Sequence, residues 1–131
     1  MARMLYNGVF TLAMPFILLR MWLRGDANPG YRQRWGERFA FFKFNGNSNG
    51  LLIHSVSVGE TLAAVPLVRS LQAAQPELTL TITTTTPTGS DQVKRIYADD
   101  LASGRIVHLY LPYDLPWLMS RFIKKIQPSL C

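Results

Sequence analysis

The feature that most constrains the fold is an alternation, from Leu51 onward, of short apolar runs with longer segments of helical periodicity. Short runs of branched and apolar residues are typical of buried strands. In chain order the pattern predicts a strand over residues 51–55, a helix over 60–74, a strand over 78–84, a helix over 90–98, a strand over 105–111 and a helix over 115–126. Asp114 is the predicted N-cap of the last helix. This order predicts an α/β fold with parallel strands and right-handed crossovers.

The predicted sheet draws attention to the loops that follow its strands. In open parallel sheets, ligands bind where the carboxyl ends of the strands meet the N-termini of the helices. This rule selects the loops over residues 55–60, 85–90 and 110–114. We therefore expect any chemistry of this part of the chain to lie in these three loops.

The first loop contains three candidate site residues, Ser57, Gly59 and Glu60. Gly59 tolerates unusual backbone angles and would let a substrate approach the main chain. Glu60 has two interpretations. It complements the dipole of the following helix, which spacing alone favours, or it is a general base that the helix N-terminus keeps ionised. His54, within the predicted strand, is expected to be packed and hydrogen-bonded rather than catalytic.

The second loop offers Thr86, Thr88, Gly89 and Ser90 as candidate substrate-binding residues. Hydroxyl groups and free backbone amides ahead of a helix can cradle an anion. A strand of β-branched threonines followed by a capped turn explains the same residues equally well. The third loop is explained by a proline turn and a helix cap. The sequence contains neither a dinucleotide-binding fingerprint nor a P-loop. Its single cysteine, Cys131, allows no internal disulfide and no cysteine-based zinc site.

Residues 4–23 form an apolar segment with three plainly polar side chains, Asn7, Thr11 and Arg20. A helix of this length spans roughly 30 Å, the thickness of the hydrocarbon core of a bilayer. Pro15 is expected to kink that helix. A cleavable signal peptide is disfavoured, because no small-residue cleavage site follows. A buried helix of a soluble domain and a membrane anchor remain, and the length favours the anchor.

Basic residues are concentrated in the first part of the chain. Residues 1–50 contain seven of the fourteen Lys and Arg residues but only Asp26 and Glu37 as acidic residues. Because only Arg3 precedes the apolar segment, the positive-inside rule places the remainder of the chain in the cytoplasm. The sequence thus predicts three regions: an anchor over residues 1–24, a basic and aromatic collar with a linker over 25–50, and an α/β domain over 51–131.

The collar combines aromatic and basic residues at helical spacing. Its predicted aromatic stripe consists of Tyr31, Trp35, Phe39 and Phe42. Arg34 and Arg38 are four residues apart and would share another face of the same helix. Packing explains the stripe, but a surface helix whose arginines contact lipid headgroups or phosphates explains it as well. Binding to single-stranded nucleic acid is disfavoured by the neighbouring apolar segment.

Four strings of the sequence are more specific when they are taken together. They are Tyr-Arg-Gln-Arg-Trp-Gly-Glu-Arg at 31–38, His-Ser-Val-Ser-Val-Gly-Glu at 54–60, Thr-Pro-Thr-Gly-Ser at 86–90 and Tyr-Leu-Pro-Tyr-Asp-Leu-Pro at 110–116. In order and spacing, and with the apolar segment before them, these strings resemble the bacterial 3-deoxy-D-manno-octulosonic acid (Kdo) transferases. The resemblance covers nearly the whole chain.

The resemblance implies a glycosyltransferase of the GT-B type, built from two Rossmann-like domains and bound to the cytoplasmic face of the inner membrane. It implies transfer of Kdo from CMP-Kdo to a hydroxyl of the tetraacylated lipid A precursor, without a metal or another cofactor. It also implies that Glu60, the last residue of the second string, is the general base.

By the same resemblance, this chain is the first third of a transferase and lacks the domain that binds the sugar nucleotide. We therefore expect an incomplete Rossmann-like half-domain with an exposed apolar edge, and no transferase activity from these residues alone. Two alternatives remain open. One is a membrane-anchored module that binds a lipid or nucleotide without catalysis and tolerates Glu60→Gln. The other is a related GT-B enzyme with a different sugar donor.

Overall fold

A computed structural model describes residues 2–26 and 29–131 of the chain. The elements, in chain order, are α1 (Ala2–Arg24), a 3-10 helix (Pro29–Arg32), α2 (Trp35–Arg38), β1 (Leu51–His54), α3 (Val58–Ala74), β2 (Leu80–Thr84), α4 (Pro87–Ile96), α5 (Ala98–Ala102), β3 (Ile106–Tyr110) and α6 (Pro116–Ile126). The chain divides into two compact units, one ending at Trp35 and one from Gly36 to Cys131.

The first unit is dominated by α1, a single helix of 23 residues. Its segment Met4–Arg24 has a mean hydropathy of 1.4 and is long and apolar enough to cross a membrane. Many of its large side chains are exposed, Leu12 at 81% for example. The Thr11 hydroxyl donates to the Asn7 carbonyl at 2.7 Å, so this polar group is satisfied inside the helix.

Arg32 caps the carboxyl end of α1. Its Nε and Nη2 atoms donate to the Trp22 carbonyl at 3.1 and 2.9 Å, and Nη2 also contacts Asp26 Oδ1 at 2.6 Å. The guanidinium group also lies over the Trp22 ring. A cation at the carboxyl end of a helix satisfies carbonyls that have no partner within the helix and complements the helix dipole.

The second unit contains a parallel sheet with the strand order β1-β2-β3. Leu51 pairs with Leu80, and Leu80 pairs with Ile106. The predicted α/β fold is confirmed. On the other side of β1, Leu52 N donates to Leu130 O at 2.9 Å, and Leu130 forms a parallel bridge with Leu51. After β3, therefore, the chain returns to the opposite side of β1.

The main core lies between one face of the sheet and the helices α3, α4 and α5. It is formed by Val68, Leu80, Ile82, Val93, Tyr97 and Ile106. Leu80 and Ile82 share this face because side chains alternate along a strand. A second apolar group comes from α6, where the buried Phe122 contacts Phe42 edge to face with ring centroids 5.6 Å apart.

The sequence predicts an exposed apolar edge of the sheet, and the structure has exposed apolar surface beside β1. An open apolar cavity of about 230 Å³ is lined by Leu51, Leu52, Ile53, Leu67, Leu71, Leu130 and Cys131. Leu67 of α3 and Leu130 are 56% and 66% exposed.

Two local predictions are wrong. The collar is not one helix, because Arg34 and Ala40 both have a φ of 56° and these left-handed residues leave α2 only four residues long. The aromatic stripe is therefore not formed, and Phe39 contacts Tyr113 instead. Asp114 is not the cap of α6. Leu115 occupies the N-cap position without a side-chain hydrogen bond, and Pro116 begins the helix.

Candidate active site

The carboxyl ends of β1 and β2 lie side by side because the two strands are parallel neighbours. The residues that follow them contact each other through the main chain of Val56. Its carbonyl accepts hydrogen bonds from the hydroxyl groups of Thr85 and Thr86, each at 3.3 Å. The first two loops selected from the sequence are thus brought together.

The N-terminus of α3 carries the first group of candidate residues. Ser57 is the N-cap, and its hydroxyl accepts from the Glu60 N–H at 3.3 Å. The Glu60 carboxylate reaches back, and its Oε2 accepts from the Val56 N–H at 2.7 Å. This is the reciprocal arrangement of a capping box, moved by one residue. Glu60 is exposed, so its carboxylate is held in place while it stays accessible to solvent.

Gly59 lies between these two residues in the first turn of α3 and is exposed. A Cβ atom added there would have Ser57 Oγ as its nearest neighbour, at 3.9 Å. The fold therefore does not require glycine at this position, which leaves room for a role in substrate approach.

The N-terminus of α4 carries the second group of candidates. Thr86 is its N-cap and accepts from the Gly89 N–H at 3.2 Å. Thr88 is exposed, whereas Gly89 and Ser90 are buried. A Cβ atom on Gly89 would lie only 3.0 Å from Thr86 Oγ1. Glycine therefore leaves space for the Thr86 hydroxyl group that caps the helix. Of the four predicted residues, Thr86 and Thr88 are the two with solvent-accessible side chains.

Glu37 and Arg38 of α2 also reach the carboxyl ends of the strands. Glu37 Oε2 accepts from the Tyr110 N–H at 2.8 Å. Arg38 donates from both Nη atoms to the Thr85 carbonyl at 3.1 Å and lies over the Tyr110 ring, 4.2 Å from its centroid. Sequence reasoning missed this role of both residues, because the partners are 73 and 47 residues away.

These contacts bear on the prediction that Arg34 and Arg38 share one exposed helix face. Arg38 is only 4% exposed, so its guanidinium group is occupied within the fold and not presented to a surface. Arg34 is partly buried and belongs to the unit that ends at Trp35. The helix face predicted for both arginines is therefore not formed, and lipid contact remains a prediction for Arg34 alone.

His54 and the third loop have structural roles. His54 Nδ1 lies 3.0 Å from Thr83 Oγ1, which confirms the predicted hydrogen bond, although the residue is exposed and not packed. In the third loop, the Tyr113 N–H donates to the Arg38 carbonyl at 3.1 Å. Burial raises the pKa of the Tyr113 hydroxyl, and Arg38 partly opposes this shift. Among the residues that the structure describes, no group of three or more His, Cys, Asp or Glu residues could hold a metal ion.

Comparison with known proteins identifies the family of the chain. A family model described as 3-deoxy-D-manno-octulosonic-acid transferase (kdotransferase) matches residues 33–131. The 3-deoxy-D-manno-octulosonic acid transferase of Haemophilus influenzae is 43% identical over 100% of this chain and 30% of its own length. That of Bordetella pertussis is 34% identical over 93% of this chain and 30% of its own length. A probable mitochondrial transferase of the same name from Arabidopsis thaliana is 29% identical over 95% of this chain and 27% of its own length.

No solved structure matches the chain. The chain spans about 30% of the length of the curated relatives that it matches. A family model that covers most of the chain and a relative 43% identical over all of it agree with the four strings. The chain therefore belongs to the Kdo transferase family of glycosyltransferases.

Proposed function

We propose that this chain forms the acceptor side of an enzyme that transfers Kdo from CMP-Kdo to the tetraacylated lipid A precursor, with Glu60 as the general base. The observation that carries the proposal is the position of Glu60. Its carboxylate is exposed at the carboxyl end of β1, and one of its oxygens is fixed by the Val56 N–H. That end of the sheet is where open α/β folds bind their ligands.

The topology supports the same location. Successive strands run from β1 to β3, and the chain then returns to the far side of β1 at Leu130. The point at which strand order reverses is the preferred ligand site in such sheets. Glu60 follows the strand at this point, so a substrate bound there would meet its carboxylate.

The proposed reaction is a transfer in which Glu60 accepts one proton. The acceptor hydroxyl attacks the anomeric carbon of Kdo, the bond from that carbon to the CMP phosphate breaks, and CMP leaves with the bonding electron pair. Glu60 takes the hydroxyl proton as the new glycosidic bond forms. The hydrogen bond to Val56 occupies Oε2 and leaves Oε1 as the oxygen that can receive the proton.

The decisive experiment is Glu60→Gln in a full-length transferase that contains this chain as its N-terminal part. A glutamine can still accept from the Val56 N–H but cannot take a proton. We expect kcat to fall by roughly 10²- to 10⁴-fold. Glu77→Gln, the same substitution at an exposed position, is the matched control. If Glu60→Gln transfers Kdo at the wild-type rate, Glu60 is only a helix cap, and the module without catalysis becomes the better description.

The proposal also covers the membrane and the donor. We propose that α1 anchors the protein at the cytoplasmic face of the inner membrane, where the lipid acceptor resides; its exposed apolar surface supports this. CMP-Kdo would be bound by residues outside this chain, and no metal would be required. The purified 131-residue chain should then show no Kdo transfer, and a chelator should not inhibit the full-length enzyme. Activity of the chain alone would contradict the proposed division between donor and acceptor sides.

A further inference from the structure

Burial of the Arg38 side chain has a large desolvation cost. It is 4% exposed, and its Nε atom has no hydrogen-bond partner among the described residues. Within residues 2–26 and 29–131, its guanidinium group contacts the Thr85 carbonyl and the Tyr110 ring and forms no ion pair with a carboxylate. A buried cation without a carboxylate carries an uncompensated desolvation cost, and an apolar side chain often fills such a space at no loss of stability. Packing alone therefore does not explain an arginine here.

The contact that Arg38 makes lies at the start of a short chain of hydrogen bonds. Both of its Nη atoms donate to the Thr85 carbonyl at 3.1 Å. Thr85 in turn donates from its hydroxyl to the Val56 carbonyl at 3.3 Å. The guanidinium group thus holds the carbonyl of the same residue whose hydroxyl group contacts Val56.

Val56 is the next link and is held mainly through its backbone. Its side chain is 45% exposed, so packing contributes little to its position. Its carbonyl is held by Thr85 and Thr86, and its N–H donates to Glu60 Oε2 at 2.7 Å. The Glu60 carboxylate therefore binds the N–H of a residue whose carbonyl is held by the two threonines that follow β2.

Glu37, next to Arg38, connects α2 to the third strand. It accepts from the Tyr110 N–H at the end of β3. Arg38 also covers the Tyr110 ring. Together the two residues of α2 bind the carboxyl ends of β2 and β3 and hold Thr85 between them.

We propose that Arg38 is a positioning residue for Glu60, acting through Thr85 and Val56. It does not touch the substrate. It keeps the Val56 N–H in the place where it binds Glu60 Oε2, and so fixes the carboxylate at the end of β1. The positional part stands on the contacts alone, while its consequence for the reaction rests on the function proposed above for Glu60.

The first test measures hydrogen exchange of the Val56 amide in the 131-residue chain in detergent micelles. Arg38→Met should speed exchange at Val56 by roughly tenfold relative to the core amides of Val68 and Leu80, as expected for the loss of about one hydrogen bond. Thr85→Val removes the middle link with little change in shape and should act in the same direction. Arg69→Met removes a different arginine contact, which is partly buried, and should change Val56 no more than the core. Unchanged exchange at Val56 in both test variants would overturn the proposal.

The second test measures the reaction in the full-length transferase. Arg38→Lys keeps the charge but offers one nitrogen where arginine has two Nη donors. We therefore expect kcat to fall several-fold, less than in Arg38→Met, with little change in the acceptor KM. Combined with Glu60→Gln, either variant should add no further loss, because both act through the same carboxylate. A full additional loss would contradict positioning through Glu60. If Glu60→Gln alone has no effect, the proposed function fails, while the exchange result at Val56 still decides the positional role.

Discussion

The Glu60 carboxylate accepts a hydrogen bond from the Val56 N–H at 2.7 Å, just before the N-cap of α3. In turn, the Ser57 hydroxyl accepts a hydrogen bond from the Glu60 N–H at 3.3 Å. Both interpretations of Glu60 that the sequence left open are therefore compatible with one geometry. A side chain that complements the helix N-terminus is by the same contact held in a fixed place, where it can serve as a base.

Ser57→Ala tests the contribution of the cap to the fold. Loss of an N-cap hydroxyl costs about 1 kcal/mol, because the N–H of the third helical residue loses its acceptor. We expect this decrease in the free energy of unfolding, measured by urea titration of the 131-residue chain in nonionic micelles. Ser70→Ala, at an exposed position within α3, is the control and should have little effect. Equal stability of the two variants would show that Ser57 does not cap α3 in solution.

The order of the three strands and of α3, α4 and α6 could be predicted from local patterns, but the short helix α5 (Ala98–Ala102) was not predicted. Strands of four or five residues alternate with helices, and the spacing of apolar residues differs between the two kinds of segment. The position of Glu60 at the start of α3 also followed from this pattern. Its bond to Val56 did not, because a carboxylate in a first turn can face either solvent or the preceding loop.

Contacts between distant parts of the chain could not be predicted. The burial of Arg38 depends on Thr85 and Tyr110, which the folding of the sheet brings to it. The break of the collar at Arg34 and Ala40 carries no glycine signal, since both are L-residues with positive φ. For this reason, helical spacing alone predicted one continuous helix where the structure has the short helix α2.

Gly59→Ala separates folding from substrate approach. The nearest atom to the added Cβ is Ser57 Oγ at 3.9 Å, an ordinary contact. Alanine is favoured over glycine in a helix by up to about 1 kcal/mol, so the variant should be as stable as the wild type or more stable. In the full-length transferase we expect the acceptor KM to rise. A less stable variant would contradict the structure, and an unchanged KM would remove the role of Gly59 in substrate approach.

Asp100→Ala tests a buried polar cluster that joins α3 to α5. Asp100 accepts from Arg69 Nη1 at 2.7 Å and from Gln72 Nε2 at 2.8 Å, and it is 7% exposed. Alanine would leave the buried amide of Gln72 without its acceptor, so we expect a loss of about 2 kcal/mol. Asp99→Ala, at the exposed neighbouring position, is the control. A loss in Asp100→Ala no larger than in the control would mean that the cluster is not formed.

Tyr97→Phe tests the cost of a buried hydroxyl group. Tyr97 is 1% exposed, and its hydroxyl has no hydrogen-bond partner among the described residues. Its removal should raise the free energy of unfolding at pH 7 by about 1 kcal/mol, because an unsatisfied buried polar group is destabilising. Tyr6→Phe, in the first unit and 49% exposed, is the control.

The same tyrosine makes the free energy of unfolding depend on pH in the alkaline range. Burial raises the pKa of the Tyr97 hydroxyl in the folded protein above 10.0; Arg69 opposes this shift and Asp100 adds to it. Above pH 10 the unfolded chain therefore loses the proton before the folded chain does, and the stability of the wild type falls as pH rises towards the folded pKa. Phenylalanine has no proton to lose, so the advantage of Tyr97→Phe over the wild type should grow between pH 9 and pH 11. A constant difference across that range would show that the Tyr97 hydroxyl reaches water in the folded state.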